Sequence, residues 1–257
     1  MDIQAPSPQP IFKGYFSNWY SACEAANASR KEQKSLEAFD STRWMNRQRQ
    51  MLTSARIGQY PRPSNLPLLT AGCGANFIVD IGGGSGWTSE LLAKSKMDKS
   101  RSYIVLDIPS VCEEFSKDFR EDSGVSFFSS ISEAPPWITS RTEILYSNSV
   151  LQYFEDNTSL TKLVSLLQPE WVLMDDFLSS TNETFYSLQN YHGVEIPHRF
   201  SNLFEIQKSF TTLGYELIVK TDYISPIANG WEFRIQSDDD FKSNIGPSLS
   251  LLFKKFQ

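Results

Sequence analysis

The chain has 257 residues, of which 40% are hydrophobic and 13% aromatic, which is ample material for a packed core and excludes a disordered chain. Its length suits one α/β core with an appendage. A formal net charge of −6 excludes a broad phosphate-binding surface, because nucleic-acid affinity rests on clustered Lys and Arg, and favours a small-molecule substrate.

Pro6, Pro8 and Pro10 read as an extended lead-in, and Ser17–Ala26 as a short helix with a Ser or Asn start signal. A second helix is predicted over Leu36–Ala55. Gly58, Pro61, Pro63 and Pro67 then form a stiff linker, so residues 1–65 are expected to be a helical cap and 66–257 the catalytic domain. From Phe77 onward short apolar runs alternate with longer mixed segments, the pattern of buried parallel strands joined by crossover helices. Strands are predicted at Phe77–Ile81, Tyr103–Leu106, Val125–Phe128, Ile144–Ser147 and Trp171–Met174, with helices at Thr88–Lys96, Ser110–Phe119 and Ser159–Leu167. Phe204–Leu213 reads as a further helix, and Tyr215–Tyr223 with Trp231–Gln236 as an antiparallel pair around Asn229-Gly230.

Cys23, Cys73 and Cys112 are far apart and form no CxxC pair, so neither a zinc knuckle nor a disulfide framework is indicated. Asp238-Asp239-Asp240 reads as a solvated turn, and no metal is expected. Met1–Pro10 lacks a basic or apolar leader pattern and no run approaches the ~18 apolar residues of a membrane span. These features predict a cytoplasmic protein with no nucleic-acid or membrane partner, with a homodimer left open.

The most informative segment is Asp80-Ile81-Gly82-Gly83-Gly84-Ser85-Gly86, which follows a predicted strand and precedes a predicted helix. Glycines permit positive φ and close approach, and amides at a helix start can meet a ligand. A dinucleotide fingerprint counted from Gly82 would need glycine where Trp87 stands, and there is no phosphate loop of the nucleotide triphosphatases. The next strand runs into Val105-Leu106-Asp107-Ile108-Pro109, placing a carboxylate at the sheet's carboxyl edge, where open α/β sheets bind ligands.

With Ile144-Leu145-Tyr146-Ser147-Asn148-Ser149-Val150-Leu151-Gln152-Tyr153-Phe154 added, the order of motifs over residues 75 to 236 resembles the class I S-adenosylmethionine-dependent methyltransferases. More narrowly, Phe12-Lys13-Gly14-Tyr15 with Trp19 and Glu24-Ala25 is similar to a little-characterised bacterial family of methyltransferase-like proteins, often associated with surface-polysaccharide gene clusters. The resemblance implies an α/β fold with a Rossmann-like, mostly parallel sheet, an antiparallel terminal hairpin and an N-terminal helical cap. It implies S-adenosylmethionine as cofactor: Gly82, Gly83, Gly84 and Gly86 around the methionine part, Asp80 on the amino group, Asp107 with Ile108 at the ribose, and Asn148, Ser149 and Tyr153 on the sulfonium side. Where many relatives carry an acid for the adenine amine, Ser129 and its neighbours offer only hydroxyls.

Tyr15, Trp19 and Tyr20 in the head, and Tyr186 and Tyr191 later, are candidates to cover substrate, since an aromatic face stabilises a sulfonium; ordinary core packing is the competing role. Asn148, Tyr153, His192 and His198 are the catalytic candidates, the histidines because they exchange protons near neutral pH. Three activities fit: methyl transfer to oxygen or nitrogen of a small acceptor, cyclisation of the cofactor to azetidine-2-carboxylate and methylthioadenosine, or binding without turnover.

Overall fold

The protein is described by a computed structural model covering residues 12–33, 39, 41–94, 101–191, 194–224, 235–236 and 244–256. The described residues begin with β1 (Phe12–Phe16), α1 (Trp19–Gln33), α2 (Thr42–Arg56) and α3 (Leu66–Cys73). The central alternation follows as β2 (Phe77–Ile81), α4 (Trp87–Lys94), β3 (Ser102–Leu106), α5 (Pro109–Phe115), β4 (Val125–Phe128), α6 (Ile138–Arg141), β5 (Ile144–Asn148), α7 (Thr158–Leu167) and β6 (Trp171–Ser180). It ends with β7 (Phe185–Tyr191), β8 (Val194–Asn202), α8 (Leu203–Thr212), β9 (Tyr215–Asp222), β10 (Ile235–Gln236) and β11 (Ile245–Lys255).

Strands β4, β3, β2, β5 and β6 lie side by side in that order and pair in parallel. On the far side of β6, β11 inserts antiparallel between β6 and β9. Successive side chains of a strand face opposite sides, and the core divides accordingly. Ile78, Tyr103, Val105, Ile144 and Tyr146 pack with Leu66 of α3 and Leu92 of α4, while Val79, Ile104, Leu145 and Phe253 pack with Val164 of α7 and Phe210 of α8. Burial on both faces explains why these strands are short, nearly uninterrupted apolar runs.

Local signals set the helix ends. Asn18 Oδ1 accepts the Ser21 amide at 2.9 Å, Ser41 Oγ accepts that of Trp44 at 3.2 Å, and Asn202 Oδ1 accepts that of Phe204 at 2.8 Å, satisfying amides that have no partner within the helix. α3 carries Pro67 in its first turn and stops at Gly74 in the left-handed region, φ +70°.

Two expectations need correction. Tyr215–Asp222 pairs with Ile245–Lys255, whose Leu249, Leu251 and Phe253 supply the buried face that completes the core; of the expected partner Trp231–Gln236, only the last two residues are described. Ile235–Gln236 instead pairs in parallel with β1. β1 also pairs antiparallel with β7, and β7 with β8, whose end joins the last two residues of β6. The head thus contributes a strand to the sheet, and α1 packs over β7 and β8. Leu36–Ala38, Ser95-Lys96, Asn229-Gly230, Asp238-Asp239-Asp240 and the proline lead-in lie outside the described residues. Among the described residues no helix is long and apolar enough to cross a membrane.

Candidate active site

β2 delivers the chain to Gly82, the loop crosses the carboxyl edge of the sheet, and α4 starts at Trp87. Gly82 and Gly84 both take the left-handed region, φ +64° and +57°. A Cβ on Gly82 would lie 2.3 Å from Val150 Cγ2, and one on Gly84 2.3 Å from Gln48 Oε1. Glycine is therefore required by conformation and by the side chains that crowd the loop. A Cβ on Gly83 would meet Asp80, and one on Gly86 would meet Phe127 and Phe119. The loop's amides are largely committed within the protein: Gly82 to Leu106 O at 2.7 Å, Gly84 to Asp107 Oδ2 at 2.8 Å, Ser85 to Gln48 Oε1 at 3.1 Å and Gly86 to Gly83 O at 3.0 Å.

Asp107, at the end of β3, accepts the Gly84 amide on Oδ2 and the Ile108 amide on Oδ1, each at 2.8 Å. A carboxylate offers about four acceptor positions, so two remain for a ligand. Burial pushes the Asp107 carboxyl up, against the pull of those two amides. Asp80 is buried beneath the loop and accepts the Tyr103 hydroxyl at 2.5 Å. Its carboxyl is pushed up to about 8, chiefly by burial and further by the charge of Asp107, with the Tyr103 bond opposing.

Above these residues lies a cavity of about 320 Å³. Asp80, Gly82, Gly83, Gly84, Asp107, Ile108, Asn148 and Ser149 line it, as do Tyr153 and Tyr191. Ser149 holds an unusual non-glycine left-handed conformation, φ +62°, with its amide on Asp175 O at 3.0 Å. Asn148 Nδ2 donates to Tyr146 Oη at 3.0 Å and Pro63 O at 3.1 Å, leaving its buried Oδ1 without a partner. Tyr153 donates to Gln189 Oε1 at 2.8 Å, and burial holds its hydroxyl well above the ordinary phenol value.

Other expected residues stand elsewhere. Tyr15 is exposed, stacks on Phe185 and donates to Glu183; Tyr20 is exposed; Trp19 and Tyr186 pack edge to face on each other. None of these four lines the cavity. β1 and α1 lie against β7 and β8, which turns Tyr15 onto Phe185 and Trp19 onto Tyr186. Ser129 is exposed, donates to the Glu133 carboxylate and is not among the lining residues. Gly86 lies in the loop but packs against the phenyl rings rather than the cavity. His198 is buried among Phe12, Phe200 and Tyr153, with neither ring nitrogen hydrogen-bonded. Burial lowers it to about 3, which describes a neutral core imidazole rather than a base in contact with a ligand. His192 lies outside the described residues.

The sequence reading missed the residues that close the cavity from the head. Trp44, Gln48 and Met51 come from α2, Phe39 precedes it, and Arg62 follows in the proline-rich linker. α2 is seated on α4 through Met51, Leu52, Ala55, Trp87 and Leu91. Trp44, Gln48, Met51 and Ala55 recur at helical spacing, a signal that Gln48 lies on the inward face. Phe39, Trp44, Tyr153 and Tyr191 form an interlocking set of rings with centroids 5.1 to 6.3 Å apart.

Solved structures share this architecture. The chain is similar to 1,6-didemethyltoxoflavin-N1-methyltransferase of Burkholderia thailandensis, a structure with bound 1,6-didemethyltoxoflavin and S-adenosylhomocysteine. The identity is 12% and the TM-score 0.50, over 99% of this chain and 94% of that one. It is similar also to mitomycin 7-O-methyltransferase, at 14% identity and TM-score 0.52, over 92% of this chain and 68% of that one. No protein-family model and no curated protein matches the sequence. Fold and strand order are thus those of these solved structures, a Rossmann-like, mostly parallel sheet with an antiparallel terminal pair.

Proposed function

We propose that the cavity binds S-adenosylmethionine and that the protein transfers its methyl group to oxygen or nitrogen of a small-molecule acceptor. The observation that carries this reading is the pairing of the Gly82–Gly86 crossing with Asp107, whose two uncommitted acceptor positions suit a pair of ribose hydroxyls. Buried Asn148 Oδ1, Trp44 Nε1 and Arg62 Nε have no hydrogen-bond partner, and all three residues line the cavity. Each such group costs about 1–3 kcal/mol, which a polar ligand would relieve.

When bound, the cofactor supplies an electrophilic methyl on a sulfonium. Asp107 holds the ribose, Ile108 packs beside the base, Asp80 faces the amino group, and Asn148, Ser149 and Tyr153 border the sulfonium. Of the head, expected over 1–65, the part that acts as a lid over the domain is Phe39, α2 and Arg62, with Phe39 and Trp44 meeting Tyr191 of β7 to exclude water. Alignment of acceptor and methyl supplies much of the acceleration in such a site.

Cyclisation of the cofactor is a second reading, favoured by the cavity itself. Its volume of about 320 Å³ is at the low end for ligand pockets, roughly 300–1,000 Å³, and so suits a cofactor better than a cofactor with an acceptor. No described histidine lines it. In that reaction the α-amine would attack its own γ-carbon, the γ-carbon–sulfur bond would break, and the amine proton would pass to a base such as Asp80.

Mass spectrometry of products separates these readings. Incubation with S-adenosylmethionine alone and with a panel of hydroxyl and amine acceptors is expected to give acceptor-dependent S-adenosylhomocysteine. Methylthioadenosine with azetidine-2-carboxylate from the cofactor alone would replace transfer by cyclisation. Consumption by neither route would overturn the enzymatic reading.

A further inference from the structure

We infer that Arg62 holds the carboxylate of the ligand's amino-acid part, an inference that rests on the cavity being the S-adenosylmethionine site. The sulfonium ligand carries an ammonium and a carboxylate at one end, and the two need opposite partners. The loop side offers acceptors, the Asp80 and Asp107 carboxyls both lining the cavity, with Asp107 bringing negative charge. It offers few free donors, because the amides of Gly82, Gly84, Ser85 and Gly86 are already bonded within the protein. A carboxylate placed there would face repulsion and little hydrogen bonding.

Arg62 is the one Lys or Arg among the described residues lining the cavity. It is 8% exposed. Its Nε is buried without a hydrogen-bond partner, and its Nη1 lies 4.0 Å from Asp176 Oδ2, beyond hydrogen-bond distance. A guanidinium presents five donors in a planar fork that matches a carboxylate in bidentate fashion, and here that capacity is unspent. The nearby Asp176 offsets its charge without occupying the fork.

The backbone around Arg62 is held in place. Pro61 and Pro63 flank it, and Pro63 O accepts from Tyr223 Oη at 2.5 Å and Asn148 Nδ2 at 3.1 Å. Ser64 Oγ lies 2.8 Å from Tyr146 Oη. The Asn65 amide donates to Asp175 Oδ2 at 2.8 Å. The linker is thus tied to Tyr146 and Asn148 of β5 and to Asp175 of β6, and β5 pairs with the strand that bears Asp80. This presents the guanidinium as a preorganised anchor.

The test compares two ligands that differ in the amino-acid part. S-adenosylhomocysteine and methylthioadenosine are titrated calorimetrically into the wild-type chain, Arg62→Gln, Arg62→Lys and the double variant Arg62→Gln/Asp176→Asn, each with a melting curve. The double variant removes both charges, so a folding defect caused by leaving Asp176 alone is separated from a binding defect. The expected result is about 10- to 100-fold weaker S-adenosylhomocysteine binding in Arg62→Gln and in the double variant. Methylthioadenosine binding should change less than about threefold, and Arg62→Lys should recover part of the loss. Equal losses for both ligands would make Arg62 a structural residue, and no loss for S-adenosylhomocysteine would place its carboxylate elsewhere. If the wild-type chain binds neither ligand, the reading of the cavity fails first, and this inference with it.

Discussion

Gly84→Ala tests the contact between lid and loop. The added methyl would meet Gln48 Oε1 at 2.3 Å and Cδ at 2.8 Å. To make room, the buried Gln48 amide must swing into the cavity that it lines. The φ of +57° costs a non-glycine residue about 1–2 kcal/mol. Displacing Gln48 breaks its bond to the Ser85 amide at 3.1 Å and leaves buried polar groups unpaired, a further ~1–3 kcal/mol. The sum is roughly 2–5 kcal/mol, a large fraction of a typical domain's stability. Urea unfolding of wild type, Gly84→Ala, Gln48→Ala and the double variant isolates the contact. In the Gln48→Ala background the methyl meets no amide, so Gly84→Ala should then cost only its conformational share, giving a coupling of at least ~1 kcal/mol. Additive effects within about 0.5 kcal/mol would refute the argument that Gln48 is the clashing group.

Asp107→Asn should weaken S-adenosylhomocysteine binding by about 1–3 kcal/mol through loss of charge-assisted hydrogen bonds; unchanged affinity by calorimetry would remove Asp107 from the site. Asp80 has a folded value of about 8 against an ordinary 3.8, so the neutral carboxyl favours the fold. Its stabilising contribution is complete below about pH 4 and is lost as pH rises through about 8. Urea unfolding between pH 5 and 8 should show that decline in the wild type and a shallower one in Asp80→Asn; equal slopes would contradict it. His198→Phe removes two unpaired buried nitrogens from an aromatic cluster and should keep both the melting temperature and S-adenosylhomocysteine affinity close to wild type. A large loss of affinity would return His198 to the site.

The parallel centre of the fold was legible because both its faces are buried. Phe77–Ile81 and Val125–Phe128 appear in the sequence as the same runs that form strands. The hairpin of β7 and β8 was not legible, since Ser187, Gln189, His198 and Arg199 are polar yet buried, which erases the alternation that marks a half-exposed strand. Asp80, Gly82–Gly84 and Asp107 could be placed because loop and strand ends are local in sequence. The covering aromatics could not. Whether Tyr15 or Phe39 reaches the cavity depends on which strand or helix the head packs against, and composition near the N-terminus is the same in either case. Arg62 was hidden in a segment whose prolines read as a spacer; its pinning to Tyr146, Asn148 and Asp175 is a tertiary fact.

The crystal structure of the protein grown with S-adenosylhomocysteine is the most direct measurement. It should show the ribose hydroxyls on the Asp107 carboxylate and the thioether near Asn148, beneath Trp44 and Tyr191. Ligand density anywhere other than beside Gly82–Gly84 and Asp107, from crystals in which that cavity is open to diffusion, would contradict the account.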